Sequence, residues 1–239
     1  MQKNNYTFLI DLDNTLYLDI DTDFSNMMSI NIQNFMVSKL GFDANIVASK
    51  QMFLYKTYGN SLTGLLEEGY KINFDEWYNS IHSILPYHLI KENKNLLNTL
   101  ENLAKYGRCI VFTNADMIHT VKVLKKLGLY DFFITENQLI TFNCLNKDYT
   151  TKVLSKPNKD AFTFVLNKLN IVDPSTVVFI DDSISNIKSA YEMGIKTIHI
   201  TTGKVIREAD LTLHNMEKIN NEEIEYIYYL DILSRYIII

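Results

Sequence analysis

The stretch FLIDLDNTLY, residues 8–17, sets three apolar residues directly before an aspartate. A second aspartate, Asp13, stands two positions after Asp11, and Asn14 and Thr15 follow it. Ionised carboxylates at this spacing repel each other, and a buried one is costly unless a cation or hydrogen-bond donors meet it. The same residue types also form ordinary solvated turns after strands, so the rest of the chain decides between a loop and a site.

Short apolar runs bounded by turn residues recur along the chain, at 8–10, 109–112, 132–135, 177–180 and 196–200. Runs of this length predict strands that are buried on both faces. Helix-length segments lie between them, at 92–106, 115–127, 158–169 and 184–193, and a glycine follows three of the four. Strands that alternate with helices predict an α/β fold with a parallel sheet.

The alternation stops between residues 18 and 91, where the pattern is helical. We therefore predict a core formed by residues 1–17 and 92–239, and a helical cap formed by residues 18–91. A helical insert after the first strand is expected to lie as a lid over the carboxyl edge of the sheet, where open α/β sheets keep their sites.

The composition and the charge of the chain exclude some classes of binding partner. The net charge of −5 and the pI near 5.5 argue against a broad surface for nucleic acid or anionic membranes, which depends on clustered Lys and Arg. The first residues lack the basic start and apolar stretch of a secretory signal, and no run is long enough to span a bilayer. Two cysteines give no disulfide framework. We expect a cytoplasmic protein, a monomer or weak dimer.

Further polar clusters follow the predicted strands, as the first aspartates do. Thr113 and Asn114 follow one apolar run, Asp181 and Asp182 follow another, and Lys156 precedes a proline just before a predicted helix. Each cluster alone is explained by a helix cap or a solvated turn. In a parallel sheet, however, all of the strand ends meet at one edge, so the four clusters together favour a site.

The four clusters read DLDNT, FTN, KP and DDSISN, and their order resembles the haloacid dehalogenase superfamily of phosphohydrolases. The resemblance implies a Rossmann-like core with a cap of the C1 type inserted after the first motif. It also implies Mg²⁺ and an aspartyl-phosphate intermediate on a small phosphate ester.

The residue types suit that chemistry. Asp11 would be the nucleophile that forms a phosphoryl carboxylate. Asp13 would donate a proton to the leaving oxygen and then take one from the attacking water. Thr113, Asn114 and Lys156 would hold the phosphoryl oxygens, because phosphoryl transfer depends on positioning and charge neutralisation.

Hard oxygen ligands favour Mg²⁺. By resemblance, its ligands would be the carboxylate of Asp11, the carbonyl of Asp13 and the carboxylate of Asp182. Asp181 would act directly or through water.

The predicted cap contains YKTYGNSLTGL, residues 55–65, which resembles the cap of the pyrimidine 5'-nucleotidase branch of the superfamily. This predicts Tyr55, Tyr58 and Gly59 as substrate-binding residues. Trp77 and Tyr78 are expected to add flat faces on which a base can stack. The branch commonly carries a histidine soon after the stretch, whereas this chain has none until His82.

These observations predict a Mg²⁺-dependent phosphomonoester hydrolase, a pyrimidine 5'-nucleotidase acting on nucleoside 5'-monophosphates. The base preference stays open because of the missing histidine. One alternative is another phosphatase of the same fold, acting on phosphoglycolate, sugar phosphates or a broad set. A second is a non-catalytic ligand-binding protein on the same scaffold.

Overall fold

The computed structural model describes residues 6–134, 138–147, 152–203, 205–220 and 222–223. Within these residues, six strands form one sheet in the order β3-β2-β1-β4-β5-β6, and every neighbouring pair is parallel. The strands are β1 (Tyr6–Ile10), β2 (Gly107–Phe112), β3 (Leu139–Ile140), β4 (Val177–Asp181), β5 (Lys196–Ile200) and β6 (Leu211–Leu213). The predicted parallel α/β fold is confirmed.

Ten α-helices accompany the sheet over the described ranges. They are α1 (Phe24–Leu40), α2 (Val47–Tyr58), α3 (Ser61–Glu67), α4 (Phe74–Ile81), α5 (Lys94–Ala104), α6 (Met117–Leu127), α7 (Tyr130–Phe133), α8 (Phe142–Leu145), α9 (Lys159–Lys168) and α10 (Ile184–Tyr191). Short 3₁₀ turns occupy Asp19–Asp21, Tyr87–Leu89, Pro174–Thr176 and Met216–Lys218. No helix in this part of the chain has the length and apolar character needed to cross a bilayer.

The central strand β1 is buried on both faces, as its unbroken apolar run predicts. Phe8 and Ile10 point into one apolar cluster, which includes the buried faces of α5 and α6. Leu9 points into the opposite cluster, which includes Phe162 of α9 and Ile187 of α10. Because β1 lies between β2 and β4, residues that follow these three strands come together at one edge.

The strand predicted at 132–135 is wrong. Phe132 and Phe133 lie in the single helical turn α7, Thr135 lies outside the described residues, and the strand on that side of the sheet is β3. A run of so few apolar residues does not distinguish a strand from a buried helical turn. The turn buries Phe133 completely against the core, which satisfies the same apolar pattern.

The helices α1 to α4, between β1 and α5, share an apolar cluster of their own. Phe35, Leu54, Leu65 and Trp77 belong to it, and Phe142 joins it from beyond β3. The segment predicted as a cap is therefore helical and contributes most of one cluster. The division into a core and a cap stays a prediction.

The turn between α2 and α3 contacts the segment that carries Lys156. A Cβ added at Gly59 would lie 2.2 Å from Cδ of Pro157 and 2.9 Å from the carbonyl oxygen of Lys156, so only glycine permits this approach. One turn further on, the hydroxyls of Thr63 and Ser155 lie 2.9 Å apart and form a buried hydrogen bond. The helical insert is thus fixed to the sheet side at the carboxyl edge.

We predict that Gly59→Ala lowers the stability more than Gly41→Ala. Both glycines have positive φ, +84° and +74°, so alanine is strained at each by about 1–2 kcal/mol. At Gly41 the added methyl group meets no described atom within 4 Å, whereas at Gly59 it overlaps Pro157. Denaturant unfolding should show an extra loss of about 1–3 kcal/mol for Gly59→Ala. Equal losses in the two variants would contradict the close approach.

Candidate active site

Lys156 lies at the centre of the carboxyl edge, with 1% of its surface exposed. Its Nζ donates to Oδ1 of Asp11 at 2.8 Å, to Oδ2 of Asp181 at 2.7 Å and to the carbonyl oxygen of Phe112 at 2.7 Å. An ammonium group has three N–H donors, so all of them are used within the protein. The ammonium therefore ties together the ends of β1, β2 and β4.

Asn114, at the end of β2, holds the backbone of Lys156 in place. Its Nδ2 donates to the carbonyl oxygen of Lys156 at 2.8 Å, and its Oδ1 accepts from the amide of Lys156 at 2.9 Å. The neighbouring hydroxyl of Thr113 is buried and accepts from the amide of Ala115 at 3.0 Å. The amide predicted to hold a phosphoryl oxygen is thus also a clamp on the lysine segment.

Asp181, the last residue of β4, is completely buried and well supplied with donors. Oδ1 accepts from the amide of Ser183 at 2.8 Å, Oδ2 accepts from Lys156, and Nδ2 of Asn186 contacts both oxygens at 3.0 and 3.1 Å. This carboxylate is fixed by protein donors on each side.

Asp182 is more accessible than Asp181 and carries fewer donors. Asn14, which adopts a left-handed φ of 58°, donates from Nδ2 to Oδ2 of Asp182 at 2.6 Å. Asparagine tolerates this conformation better than most residues, and it turns the segment after Asp13 toward β4. Ligand atoms of Asp11, Asp181 and Asp182 all lie within 4.8 Å of one another.

The charges in this cluster do not balance. Three carboxylates share the single ammonium of Lys156. Burial, with the charges of Asp181 and Asp182, raises the pKa of Asp11 well above its ordinary value even though Lys156 opposes the shift. Burial and the charge of Asp181 raise the pKa of Asp182 to about 7. A divalent cation would reverse both effects, and a set of hard carboxylate oxygens fits Mg²⁺.

Asp13 is held by two donors on a single oxygen. Tyr17 donates its hydroxyl to Oδ1 at 2.5 Å, and Nε2 of His119 lies 2.8 Å from the same Oδ1. Burial would raise the pKa of Asp13, but the charge and hydrogen bond of His119, with the hydroxyl of Tyr17, hold it at about 2. Asp11 and Asp13 therefore have opposite pKa shifts although one residue separates them.

His119 and its contacts at the site are not predicted from the sequence. Nδ1 of His119 lies 2.8 Å from the hydroxyl of Tyr87, and its ring centroid lies 4.7 Å from that of His82. Asp116 caps α6 with Oδ1 on the amide of His119 and contacts Nδ1 of His82 with Oδ2. The sequence signal that could have found it is its position: a helix that begins at Met117, just after FTNA and the capping residue Asp116, puts position 119 in its first turn at the carboxyl edge.

The residues predicted from the four motifs come together at this edge of the sheet. Hydrogen bonds connect Asp11 and Asp181 to Lys156, and Lys156 to Asn114. Asp182 shares the carboxylate cluster, and Asp13 and Thr113 follow the first two strands beside it.

The aromatic residues predicted in the cap divide into two groups. Tyr55 is 53% exposed. Partial burial of its hydroxyl raises the pKa, and the negative charges of Asp182, Asp181 and Asp11 raise it further. The hydroxyl of Tyr55 is therefore within electrostatic reach of the carboxylates. The expectation that Trp77 and Tyr78 present open faces is wrong, because both are buried in the cluster of α1 to α4.

Tyr58 and Gly59 have structural contacts of their own. The ring of Tyr58 lies beside Gly64, where an added Cβ would be 2.8 Å from its Cδ2. Gly59 permits the approach to Pro157 described above. Neither contact tests their predicted role in substrate binding.

Comparison with known proteins places the chain in a family. The family model of haloacid dehalogenase-like hydrolases matches residues 7–194, which is more than half of the 239 residues. The chain belongs to the haloacid dehalogenase-like hydrolases. A relative of this hydrolase, phosphate metabolism protein 8 of Saccharomyces cerevisiae, is 28% identical over 200 residues, which cover 81% of this chain. They cover 61% of the relative, so the hydrolase spans about three fifths of that protein's length.

Solved structures share the fold of the hydrolase. A haloacid dehalogenase (HAD) hydrolase of family IA, variant 3, from Entamoeba histolytica has a TM-score of 0.60 at 19% identity, covering 94% of this chain and 99% of that one. YfnB from Bacillus subtilis, bound to magnesium, has a TM-score of 0.57 at 17% identity, covering 93% and 98%. CbbY from Rhodobacter sphaeroides, in complex with phosphate, has a TM-score of 0.58 at 16% identity, covering 90% and 96%.

The raised pKa of Asp182 predicts how the metal-free hydrolase responds to pH. Between about 3.8 and about 7 the folded state binds more protons at this carboxyl than the unfolded state. Its contribution to the free energy of unfolding therefore falls as pH rises through that window. His82, whose pKa is lowered by burial, acts in the opposite sense, so a variant is needed to isolate Asp182.

In a chelator, Asp182→Asn should be more stable than the wild type by roughly 1–2 kcal/mol at about pH 8, and no more stable at about pH 4. Asparagine keeps the shape and can still accept from Asn14, but it carries no charge. Denaturant unfolding of both proteins across this range measures the difference. A stability difference that does not change with pH would contradict the raised pKa.

Proposed function

We propose that this hydrolase cleaves phosphate monoesters through a phosphoryl carboxylate on Asp11, with Mg²⁺ as cofactor. The observation that carries the proposal is the hydrogen bonding of the two carboxyl oxygens of Asp11. Lys156 binds Oδ1, whereas Oδ2 accepts no hydrogen bond from any described residue. Asp11 thus has one carboxyl oxygen free of protein hydrogen bonds, beside Asp13 and a cluster of carboxylates that could hold a cation, and it can attack phosphorus once that cation keeps it ionised.

Charge explains why a cation belongs to this proposal. A phosphate monoester is a dianion, and it must approach Asp11 at a site where three carboxylates face one ammonium. Bound Mg²⁺ would neutralise the developing charge and keep Asp11 ionised. Asp11, Asp182 and the carbonyl of Asp13 would hold it, with Asp181 acting directly or through water. The magnesium bound to YfnB, a protein of the same fold, is consistent with this assignment.

The proposed reaction has two steps, phosphoryl transfer to Asp11 and then hydrolysis by water. Asp13 is ionised in the free protein, and the dianionic ester bound beside it favours uptake of a proton from solvent. Oδ2 of Asp11 then forms a bond to phosphorus while the bond from phosphorus to the leaving oxygen breaks, and Asp13 gives that oxygen its proton. In the second step Asp13 takes a proton from water, whose oxygen attacks the phosphoryl group and releases Asp11. Thr113 and Asn114 hold phosphoryl oxygens, and Lys156 supplies positive charge beside them.

We predict that p-nitrophenyl phosphate is hydrolysed with Mg²⁺, and that a chelator abolishes the rate. Ca²⁺ should inhibit, because its larger and looser coordination shell misplaces the nucleophile. Asp11→Asn should reduce kcat by at least about 10³-fold, because the amide keeps the shape and loses the nucleophile. Full turnover in a verified metal-free preparation, or a wild-type rate for Asp11→Asn, would refute the mechanism.

For the substrate class, we propose nucleoside 5'-monophosphates, pyrimidine before purine. Tyr55 supports this, because its ring is half exposed and its hydroxyl is within electrostatic reach of the carboxylates. An aromatic face can stack on a base for about 1–3 kcal/mol. The resemblance of residues 55–65 to a nucleotidase cap supports the same class. The proposed partner is thus a small phosphate ester, and the proposed location of the protein is the cytoplasm.

A panel of esters tests the substrate class. Under identical Mg²⁺, UMP and CMP should have kcat/KM values roughly one to two powers of ten above phosphoglycolate and glucose 6-phosphate, which have no π face, with AMP between them. Tyr55→Ala should remove most of that advantage. Phe53→Ala is the matched control, since Phe53 lies on the same helix and is 51% exposed. If phosphoglycolate or the sugar phosphate is preferred tenfold, the nucleotidase proposal is wrong and the phosphatase proposal survives.

A further inference from the structure

The two oxygens of Asp13 are in different situations. Tyr17 and His119 both contact Oδ1, at 2.5 and 2.8 Å. Oδ2 has no hydrogen-bond partner among the described residues. Because the protein donors bind Oδ1, Oδ2 is the oxygen left to exchange a proton with a bound ligand.

His119 is itself held from several sides. Oδ1 of Asp13 accepts in this contact whether Oδ2 is ionised or carries a proton, so Nε2 of His119 must carry the proton that it shares with Oδ1. The hydroxyl of Tyr87 is 2.8 Å from Nδ1, and Asp116 binds the backbone amide. The ring is completely buried beside His82, so its orientation is fixed by packing as well as by hydrogen bonds.

Tyr17, the second donor to Asp13, is also fixed by its surroundings. It lies four residues after Asp13, at the end of a turn in which the amide of Leu16 donates to the carbonyl oxygen of Leu12 at 3.0 Å. Its ring packs edge-on against Phe24, with centroids 5.9 Å apart, and Phe24 also contacts Tyr87 at 5.6 Å. The two donors on Asp13 therefore share one aromatic support.

We propose that His119 and Tyr17 are positioning residues for Asp13: they occupy Oδ1, so that Oδ2 gives a proton to the leaving oxygen and later takes one from water. The inference rests on the proposed phosphomonoester hydrolysis. A mobile carboxyl would present either oxygen in many orientations, whereas two donors on one oxygen fix the plane of the group. General acid and base catalysis depends on that geometry.

The competing interpretation is that His119 is an ordinary core histidine that uses Asp13 as a buried acceptor. The two interpretations differ in how they depend on the leaving group. Nitrophenolate leaves without a proton, whereas an alkoxide needs one. Loss of positioning therefore affects alkyl esters far more than p-nitrophenyl phosphate, whereas general loosening of the fold affects both esters alike.

The decisive variant is Tyr17→Phe, which keeps the ring and removes one donor. Its kcat/KM should fall roughly tenfold or more for the alkyl ester that the wild type hydrolyses fastest, and less than about threefold for p-nitrophenyl phosphate. His119→Met should show the same selective fall. His119→Gln, which can still donate near the Nε2 position, should recover part of it. Tyr130→Phe, on α7 away from the site, is the matched control and should leave both values unchanged.

A second measurement needs no turnover. The shared proton on Nε2 of His119 should give a slowly exchanging imidazole N–H signal in the NMR spectrum, because the ring is buried. The signal should vanish in His119→Gln and shift in Tyr17→Phe, since both donors act on the same oxygen. A signal that is unchanged in Tyr17→Phe would overturn the shared arrangement.

The outcomes separate the two proposals. Equal falls on both esters, or no fall in Tyr17→Phe, would overturn the positioning role while leaving phosphomonoester hydrolysis intact. A wild-type protein that hydrolyses neither ester would overturn the proposed function and the positioning role with it.

Discussion

The ammonium of Lys156 is the contact on which the rest of the site depends. A buried cation is costly unless every N–H finds an acceptor, and here the acceptors come from the ends of three different strands. That is possible because the sheet order places β1 between β2 and β4. These three hydrogen bonds compensate for the desolvation of the lysine, and one of them also positions Asp11.

The same edge gives two neighbouring aspartates opposite properties. Asp11 shares its cation with Asp181 and lies near Asp182, so burial and repulsion favour its neutral form until further positive charge arrives. Asp13 has its own donors, Tyr17 and His119, and stays ionised without outside help. In the metal-free protein the proposed roles therefore need two changes: a cation that keeps Asp11 ionised, and a proton that Asp13 takes up when a dianionic ester binds beside it. The difference between the two acids arises from the direction of each side chain, since the backbone places them only two positions apart.

Much of this architecture follows from the sequence pattern, and the exceptions have physical reasons. The apolar runs that became β1, β2, β4 and β5 are long or β-branched enough to be recognised, and the polar residues after the first three of these strands mark the site. The pattern fails at 132–135, because burial of Phe133 is compatible with a helical turn as well as a strand.

Side-chain direction is the other limit of sequence reasoning. Trp77 and Tyr78 are aromatic residues in a helical insert, and nothing in their spacing shows that they face the insert's own cluster instead of the site. His119 was missed for the converse reason. A histidine in an amphipathic helix is normally a core or surface residue, and its contact with Asp13 joins residues 106 positions apart. Contacts of that range depend on the crossing of whole elements, which local pattern does not contain.

The attachment of the α2–α3 turn to the lysine segment has a mechanical consequence. Gly59 lies against Pro157, and Thr63 is hydrogen-bonded to Ser155, so the insert contacts the residues on both sides of Lys156. A rigid-body displacement of α2 and α3 must therefore either break these contacts or carry the backbone of Lys156 with it. In the second case the clamp from Asn114 and the three bonds of the ammonium resist the movement. Movement of α2 and α3 is thus coupled, through these contacts, to the position of the ammonium at the centre of the site.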